Sequence, residues 1–152
     1  MQTRPYNPND IIPIRDVFYQ AVEITAARHY MAEHIKTWKD GANDLSRWRQ
    51  RIETAAHCDI IEDELGIFAF GTLTNEGEID LLMCHPRRAR EGAASMILLD
   101  LERKARDMGL TRLFTQASLA SRGTFYKSGF NETEQRVVLG MPCFGMEKVL
   151  CP

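Results

Sequence analysis

Three groups of residues in this 152-residue chain have types and spacings suited to chemistry. The first is a turn, Pro86-Arg87-Arg88-Ala89-Arg90-Glu91-Gly92-Ala93-Ala94, lying between a short apolar run at 79–84 and a segment of different period. In that segment Ala94, Ile97, Leu98, Leu101, Ala105 and Met108 recur at spacings of three and four, one face of an amphipathic helix. Small residues let a ligand approach the main chain, and a helix start offers free N–H donors and the positive end of its dipole to an anion. The turn is therefore a candidate phosphate cradle, with Arg88 and Arg90 adding charge and Glu91 opposing it. The plainer alternative is a solvated basic turn capping a core helix. The second group is Glu78 and Asp80, which share a strand face by period two. It is either a carboxylate pair placed to handle protons or an exposed acidic strand start. The third is His29, Tyr30, His34 and Trp38 at helical spacing. A small amine could lie against these rings by cation–π contact, although the same spacing serves a core face. Cys84 invites a nucleophile reading, and packing is the better one.

These residues need elements to hold them. Residues 3–6 read as a short strand, and Asn9 or Asp10 as the N-cap of a helix carrying Ile14, Val17, Phe18, Ala21 and Ile24. A second helical element over 30–38 breaks at Asp40-Gly41. Leu45, Trp48, Ile52 and Ala55 mark a third, with Asp44 or Ser46 near its cap. Residues 58–62, 66–73 and 78–84 are three consecutive strands joined by hairpin-like turns. A helix from about 90 to 107 follows, with Gly109 at its C′ position. Next come a strand at 112–116, a helix at 121–128 and an antiparallel pair at 137–139 and 144–149. This order predicts a mixed α/β sheet behind helices, in one domain over 1–152.

Composition narrows the function classes. With 44% hydrophobic and 26% charged residues, this is the make-up of an ordinary globular protein with a continuous core. A formal net charge of −2 and the lack of a charged tail argue against a nucleic-acid partner. The polar start MQTRPYNPND is no signal peptide, and no apolar run is long enough to span a membrane. Cys58, Cys84, Cys143 and Cys151 lack metal-ligand spacing and read as reduced, mostly buried thiols of a cytoplasmic protein, with no metal expected.

The stretch 79–105 resembles the acetyl-CoA-binding motif of the GNAT N-acetyltransferases, a strand ending in a Leu-aromatic-Val-x-Pro type sequence followed by Q/R-x-x-G-x-G/A. Leu82-Met83-Cys84-His85-Pro86 covers the strand end, and Ala89-Arg90-Glu91-Gly92-Ala93-Ala94 covers the loop. Gly92 and Ala94 match, whereas Ala89 replaces the leading Gln or Arg and Arg90 replaces a glycine common in the family. Thr111 to Ser118, SRGTFYKSGF at 121–130 and Met146-Glu147-Lys148 resemble the strand, helix, Gly-Phe closure and last strand that follow. The approximate Tyr30–Trp38 spacing is similar to small bacterial members.

The resemblance implies a GNAT (acyl-CoA N-acyltransferase) fold, an α/β architecture with a mixed, mostly antiparallel central sheet flanked by helices. It implies an acetyl-CoA-dependent N-acetyltransferase in which an amine attacks the thioester directly. Main-chain groups of Leu82, Met83 and Cys84 would pair with pantetheine, the 89–94 loop would hold the phosphates, and Ser118 and Phe125 would also touch the cofactor. Glu78 falls where family members carry the base, Asp80 is a substitute or substrate anchor, and Tyr30, His34 and Trp38 would line the acceptor pocket. The family's acid is a tyrosine four residues before the closing glycine. Phe125 holds that position here and Tyr126 follows it, so either the helix is slightly displaced and Tyr126 serves as the acid, or the thiolate leaves without a protein acid. In the unshifted family register Phe125 points at the cofactor sulfur and Tyr126 lies aside. The acceptor would be a small-molecule or peptide amine, and a homodimer stays open. The departures at Ala89 and Phe125 motivate the alternatives: a non-catalytic CoA-binding or regulatory protein, or a scaffold that has lost CoA.

Overall fold

The computed structural model describes residues 1–25, 32–138 and 140–151. In chain order these form β1 (Arg4–Pro5), α1 (Ile11–Gln20), α2 (Ala32–Asn43), α3 (Leu45–Glu53), β2 (His57–Asp63), β3 (Gly66–Leu73), β4 (Ile79–Cys84), α4 (Ala93–Asp107), β5 (Arg112–Ala117), α5 (Arg122–Lys127), β6 (Asn131–Val138) and β7 (Met141–Val149). β1-β2-β3-β4 make one antiparallel sheet and β5-β7-β6 a second. One parallel bridge, Glu78 to Phe114, joins them.

Apolar residues fill both faces. On one side Ile97, Leu98, Leu101 and Ala105 of α4 pack with Ile61, Phe68, Ile79, Leu113, Phe125 and Phe144. On the other, Ile14, Val17 and Phe18 of α1 and Trp48 and Ile52 of α3 pack with Ile60, Phe70 and Leu81. The Trp48 indole N–H donates to the Ile11 carbonyl at 3.2 Å, which ties α3 to α1. Gly71 sets how closely α4 approaches the sheet, since a Cβ there would stand 2.7 Å from Ile97 Cγ2. Any side chain at that position would push the helix away.

Several boundaries differ from the sequence expectation. α2 does not break at Asp40-Gly41 but runs on to Asn43. Ala42 is 2% exposed and the Tyr19 hydroxyl donates to Asn43 Oδ1 at 2.5 Å. That docking outweighs the roughly 1 kcal/mol helix penalty of a glycine. Asp10 stands at the N-cap position of α1, as expected, but makes no side-chain cap bond there. The side-chain cap is Asn7, at a tight turn over Pro8–Asp10 that leads into α1, and Asp10 turns back to accept from the Asn7 N–H. β6 starts at Asn131 rather than 137, because β7 offers it a ladder that its polar composition does not announce. α4 begins at Ala93 rather than near Arg90, and Arg90 has a left-handed φ of 64° that no helix accepts. Of the four free cysteines only Cys58 is buried, and Cys151 is exposed. No helix among the described residues is long and apolar enough to cross a membrane.

Candidate active site

β4 and β5 lie side by side only at their start. The Phe114 N–H donates to the Gly77 carbonyl at 3.0 Å, and the Thr115 hydroxyl donates to the Ile79 carbonyl at 2.8 Å. Beyond these bonds the two strands share no ladder and diverge. A bulge accompanies the divergence: Leu73 faces Ile79 while Thr72 faces Leu81, so Asp80 is the extra residue. The Leu81 N–H donates to the Thr72 hydroxyl at 3.1 Å. The bulge turns Ile79 to the α4 core and Leu81 to the α1 core, although the two are only two positions apart.

Past the bulge the ladder alternates. The His85 N–H donates to Phe68 on β3 at 2.7 Å, and Met83 pairs with Phe70. In an antiparallel ladder the intervening N–H groups point the other way, so those of Leu82 and Cys84 face the gap left by β5. The Cys84 thiol donates to the Arg88 carbonyl at 3.4 Å, and burial pushes its pKa up, which keeps it protonated and poor as a nucleophile.

The loop after β4 ends at the start of α4. Gly92 is the N-cap, with φ 89° and no side-chain cap, and the first helical bond runs from the Met96 N–H to the Gly92 carbonyl. The N–H groups of Ala93, Ala94 and Ser95 therefore lack the usual intrahelical acceptors. A Cβ built at Gly92 meets nothing within 4 Å, so the space beside this end is open. The loop's charges are divided. Arg87 forks onto Asp63 at 2.8 and 3.1 Å. Arg88 bonds Asp63 and Glu91 and lies 4.2 Å over the Phe68 ring. Ala89, Arg90 and Glu91 are exposed.

The acidic pair is split by its partners. Asp80 accepts both prongs of Arg51 on α3, at 2.7 and 3.0 Å. Glu78 exchanges main-chain bonds with Thr74, its N–H to the Thr74 hydroxyl at 3.0 Å and the Thr74 N–H to its carbonyl at 2.9 Å, while its carboxylate forms no ion pair among the described residues. Burial, then the charge of Asp80, raise its pKa, and Arg51 lowers it. On α5, Phe125 is 2% exposed and edge-packed on Phe130 at 5.1 Å, so its ring fills core and presents almost no surface to a ligand. Tyr126 is 46% exposed. Ser118 and Ser121 cap one another at the end of β5, at 3.0 and 3.2 Å.

Of the acceptor group, His29 and Tyr30 lie outside the described residues. His34 lies against the β6–β7 turn, where a Cβ at Gly140 would stand 3.4 Å from its Nε2. Trp38 packs partly buried on the α1-side core. Two concavities lie apart from these groups. One of about 400 Å³ is lined by Tyr6, Glu53, His57 and Lys104, and one of about 490 Å³ by Tyr19, Ile35 and Lys39. The residues that sequence reasoning missed are Arg51, Thr72 and Thr115. Threonine in a strand is ordinary, and nothing in the spacing ties Arg51 to a carboxylate 29 positions later.

This geometry has relatives. Residues 26–150 match the family described as acetyltransferase (GNAT) domain. The chain is 28% identical over 138 residues, 91% of this chain and 86% of the relative, to the uncharacterized N-acetyltransferase YafP of Escherichia coli strain K12. A GCN5-related N-acetyltransferase structure from Rhodopseudomonas palustris superposes with a TM-score of 0.91 at 24% identity, covering 97% of this chain and 94% of that one. The PaiA N-acetyltransferase of Thermoplasma acidophilum, solved with coenzyme A, gives 0.78 at 19% identity over 97% and 98%. YncA of Salmonella typhimurium, a putative acetyltransferase solved with acetyl-CoA, gives 0.73 at 18% identity over 100% and 95%. With the family match spanning most of its length, this chain belongs to the GNAT acetyltransferase family.

Proposed function

We propose that the protein is an acetyl-CoA-dependent N-acetyltransferase that acetylates the amine of a small-molecule or peptide acceptor by direct attack on the thioester. The observation that carries this reading is the divergence of β4 from β5. It leaves the Leu82 and Cys84 amides facing a gap that leads to the uncapped start of α4. The residues fit the cofactor: a row of main-chain donors for pantetheine, then an open helix end with small residues at Ala89, Gly92, Ala93 and Ala94 for the phosphates. When bound, the thioester supplies an activated acyl carbon. The chain's own groups orient it through the β4 amides, and Glu78 takes the proton of the acceptor amine. Asp80 anchors the acceptor side, and His34 and Trp38 form its wall. No step needs a Lewis acid, and a cytoplasmic location fits the free thiols.

The buried Phe125 and exposed Tyr126 favour a second reading, a CoA-binding protein without turnover, because no hydroxyl stands inward at the family's acid position. Titration calorimetry with acetyl-CoA, followed by thiol release with an amine panel, separates the two. Binding with release supports the transferase, and binding without release the second reading. Gly92→Val should remove acetyl-CoA binding while circular dichroism stays unchanged, since φ 89° disfavours a β-branched residue and its side chain would occupy the open space. Unchanged affinity would place the phosphates elsewhere.

A further inference from the structure

Arg51 has a geometry that stability does not explain. It reaches from α3 to β4, Nε to Asp80 Oδ2 at 2.7 Å and Nη2 to Oδ1 at 3.0 Å. The two side chains are 46% and 27% exposed, and an ion pair so wet contributes only about 0–1 kcal/mol. What the fork does fix is orientation, because two parallel bonds hold the carboxylate plane and occupy both of its oxygens.

That carboxylate sits on the bulge beside Glu78. The charges acting on Glu78 are Asp80 on its own strand, Glu76 in the preceding turn and Arg51 from α3. From the adjoining strand, Arg112 is turned onto Glu147 at 2.5 Å and Phe114 contributes only a ring. Asp80 and Arg51 thus pull Glu78 in opposite directions.

Resting on the transferase reading above, we propose that Arg51 is a positioning residue. Its fork occupies both oxygens of Asp80 and leaves Glu78 as the carboxylate of the pair that exchanges a proton with the acceptor. In that exchange the acceptor ammonium loses its proton to the Glu78 carboxylate, giving a neutral amine and a neutral acid, and the acid then returns the proton to solvent. Arg51 touches neither reacting group and acts through the two carboxylates.

Opposite substitutions should therefore move the same titration in opposite directions. Arg51→Met leaves Asp80 charged and unbalanced, so Glu78 holds its proton to higher pH. Asp80→Asn leaves Arg51 unbalanced, so Glu78 releases it at lower pH. Each shift is expected to be at least about 0.5 pH unit, the scale of a nearby charge at high effective dielectric. Arg51→Lys keeps the charge without the fork and should fall between wild type and Arg51→Met.

The test is the acid limb of the pH profile of kcat/KM for these variants, with carboxyl-carbon NMR titration of Glu78 in the full-length free protein. The expected result is an upward shift for Arg51→Met, a downward one for Asp80→Asn and a partial return for Arg51→Lys. Identical Glu78 titration in wild type and Arg51→Met, or shifts of the same sign in Arg51→Met and Asp80→Asn, would overturn the proposal. The NMR arm needs no turnover. If no amine supports thiol release, or Glu78→Gln is fully active, the transferase or base reading fails while the Glu78 titration still decides the role of Arg51. Should Arg51→Met not fold, Asp80→Asn and Arg51→Lys carry the same test.

Discussion

Two clusters in this molecule are each built around two carboxylates and a bonded cation, Arg103 adding a second cation to one of them, and they behave in opposite ways. In the first, Asp59 on β2 is fully buried and bonded to Lys104 on α4, which also bonds Asp100 at 3.0 Å. The second Asp59 oxygen lacks a hydrogen-bond partner, and His57 and Cys58 are the neighbouring titratable groups. Burial, and then the neighbouring Asp100 carboxylate, push Asp59 up to about 7, while Asp100 is held below its usual range. The second cluster is Arg51, Asp80 and Glu78, open to water at the end of the β4–β5 contact. Lysine is a point charge that two carboxylates can share, and with little water present they also share a proton. Arginine is a planar fork that claims one carboxylate outright and leaves the other to titrate. On the transferase reading proposed above, the first cluster serves stability and the second the chemistry.

The largest test of that assignment is at Glu78. Glu78→Gln should lower kcat/KM on the order of a hundredfold at neutral pH and less at high pH, where the free amine is already abundant. Thiol release across pH reads this, and a loss that does not vary with pH would make Glu78 a substrate anchor. Asp59→Asn should leave that rate nearly unchanged and alter stability instead. The carboxyl of Asp59 titrates near 7 in the folded protein against about 3.8 unfolded, so the folded state binds the proton more tightly. Its stabilising contribution is complete below about pH 4 and is lost as pH rises toward 7. The depressed Asp100 has the opposite sign, and its contribution is lost only as pH falls below about 4. Thermal melts should show Tm of the wild type falling between about pH 5 and pH 8, and a flatter Asp59→Asn profile that ends roughly 3 °C or more higher. Parallel profiles would remove the contrast between the clusters.

The smallest effect is expected on α5. Tyr126→Phe should change turnover by less than about twofold, since its ring is 46% exposed and the helix directs Phe125 inward. Phe125→Tyr would bury a hydroxyl beside Phe130 and should cost about 1–3 kcal/mol of stability in a denaturant melt. A large loss in Tyr126→Phe would restore this residue as the acid.

Much of this was legible in the sequence. The period change between 84 and 93, the hairpin strands 66–73 and 79–84 and the glycine at 92 depend on local pattern, and they stand where the pattern put them. Period two predicts Glu78 and Asp80 on one face. It does not describe β4 itself, where the bulge sends Ile79 and Leu81 to different cores, because bulges are fixed by cross-strand partners such as Thr72. Arg88 read as charge for the cradle, but Asp63 and Glu91 hold it, the first of them 25 positions away. The polar strand β6 and the continuation of α2 through Gly41 were hidden for the same reason. Their stability comes from β7 and from α1, not from their own composition.

The central claim is that the gap between β4 and β5 takes the cofactor's chain and the start of α4 its phosphates. Amide NMR of the full-length protein titrated with acetyl-CoA tests it at the atoms concerned. The account predicts large shifts at Leu82 and Cys84 and at Ala93, Ala94 and Ser95, with much smaller ones at Leu81, Met83 and His85, whose N–H groups are turned to β3. Saturation that leaves Leu82, Cys84 and the start of α4 unmoved, or that shifts only the residues around Tyr6 and Lys104, would contradict it.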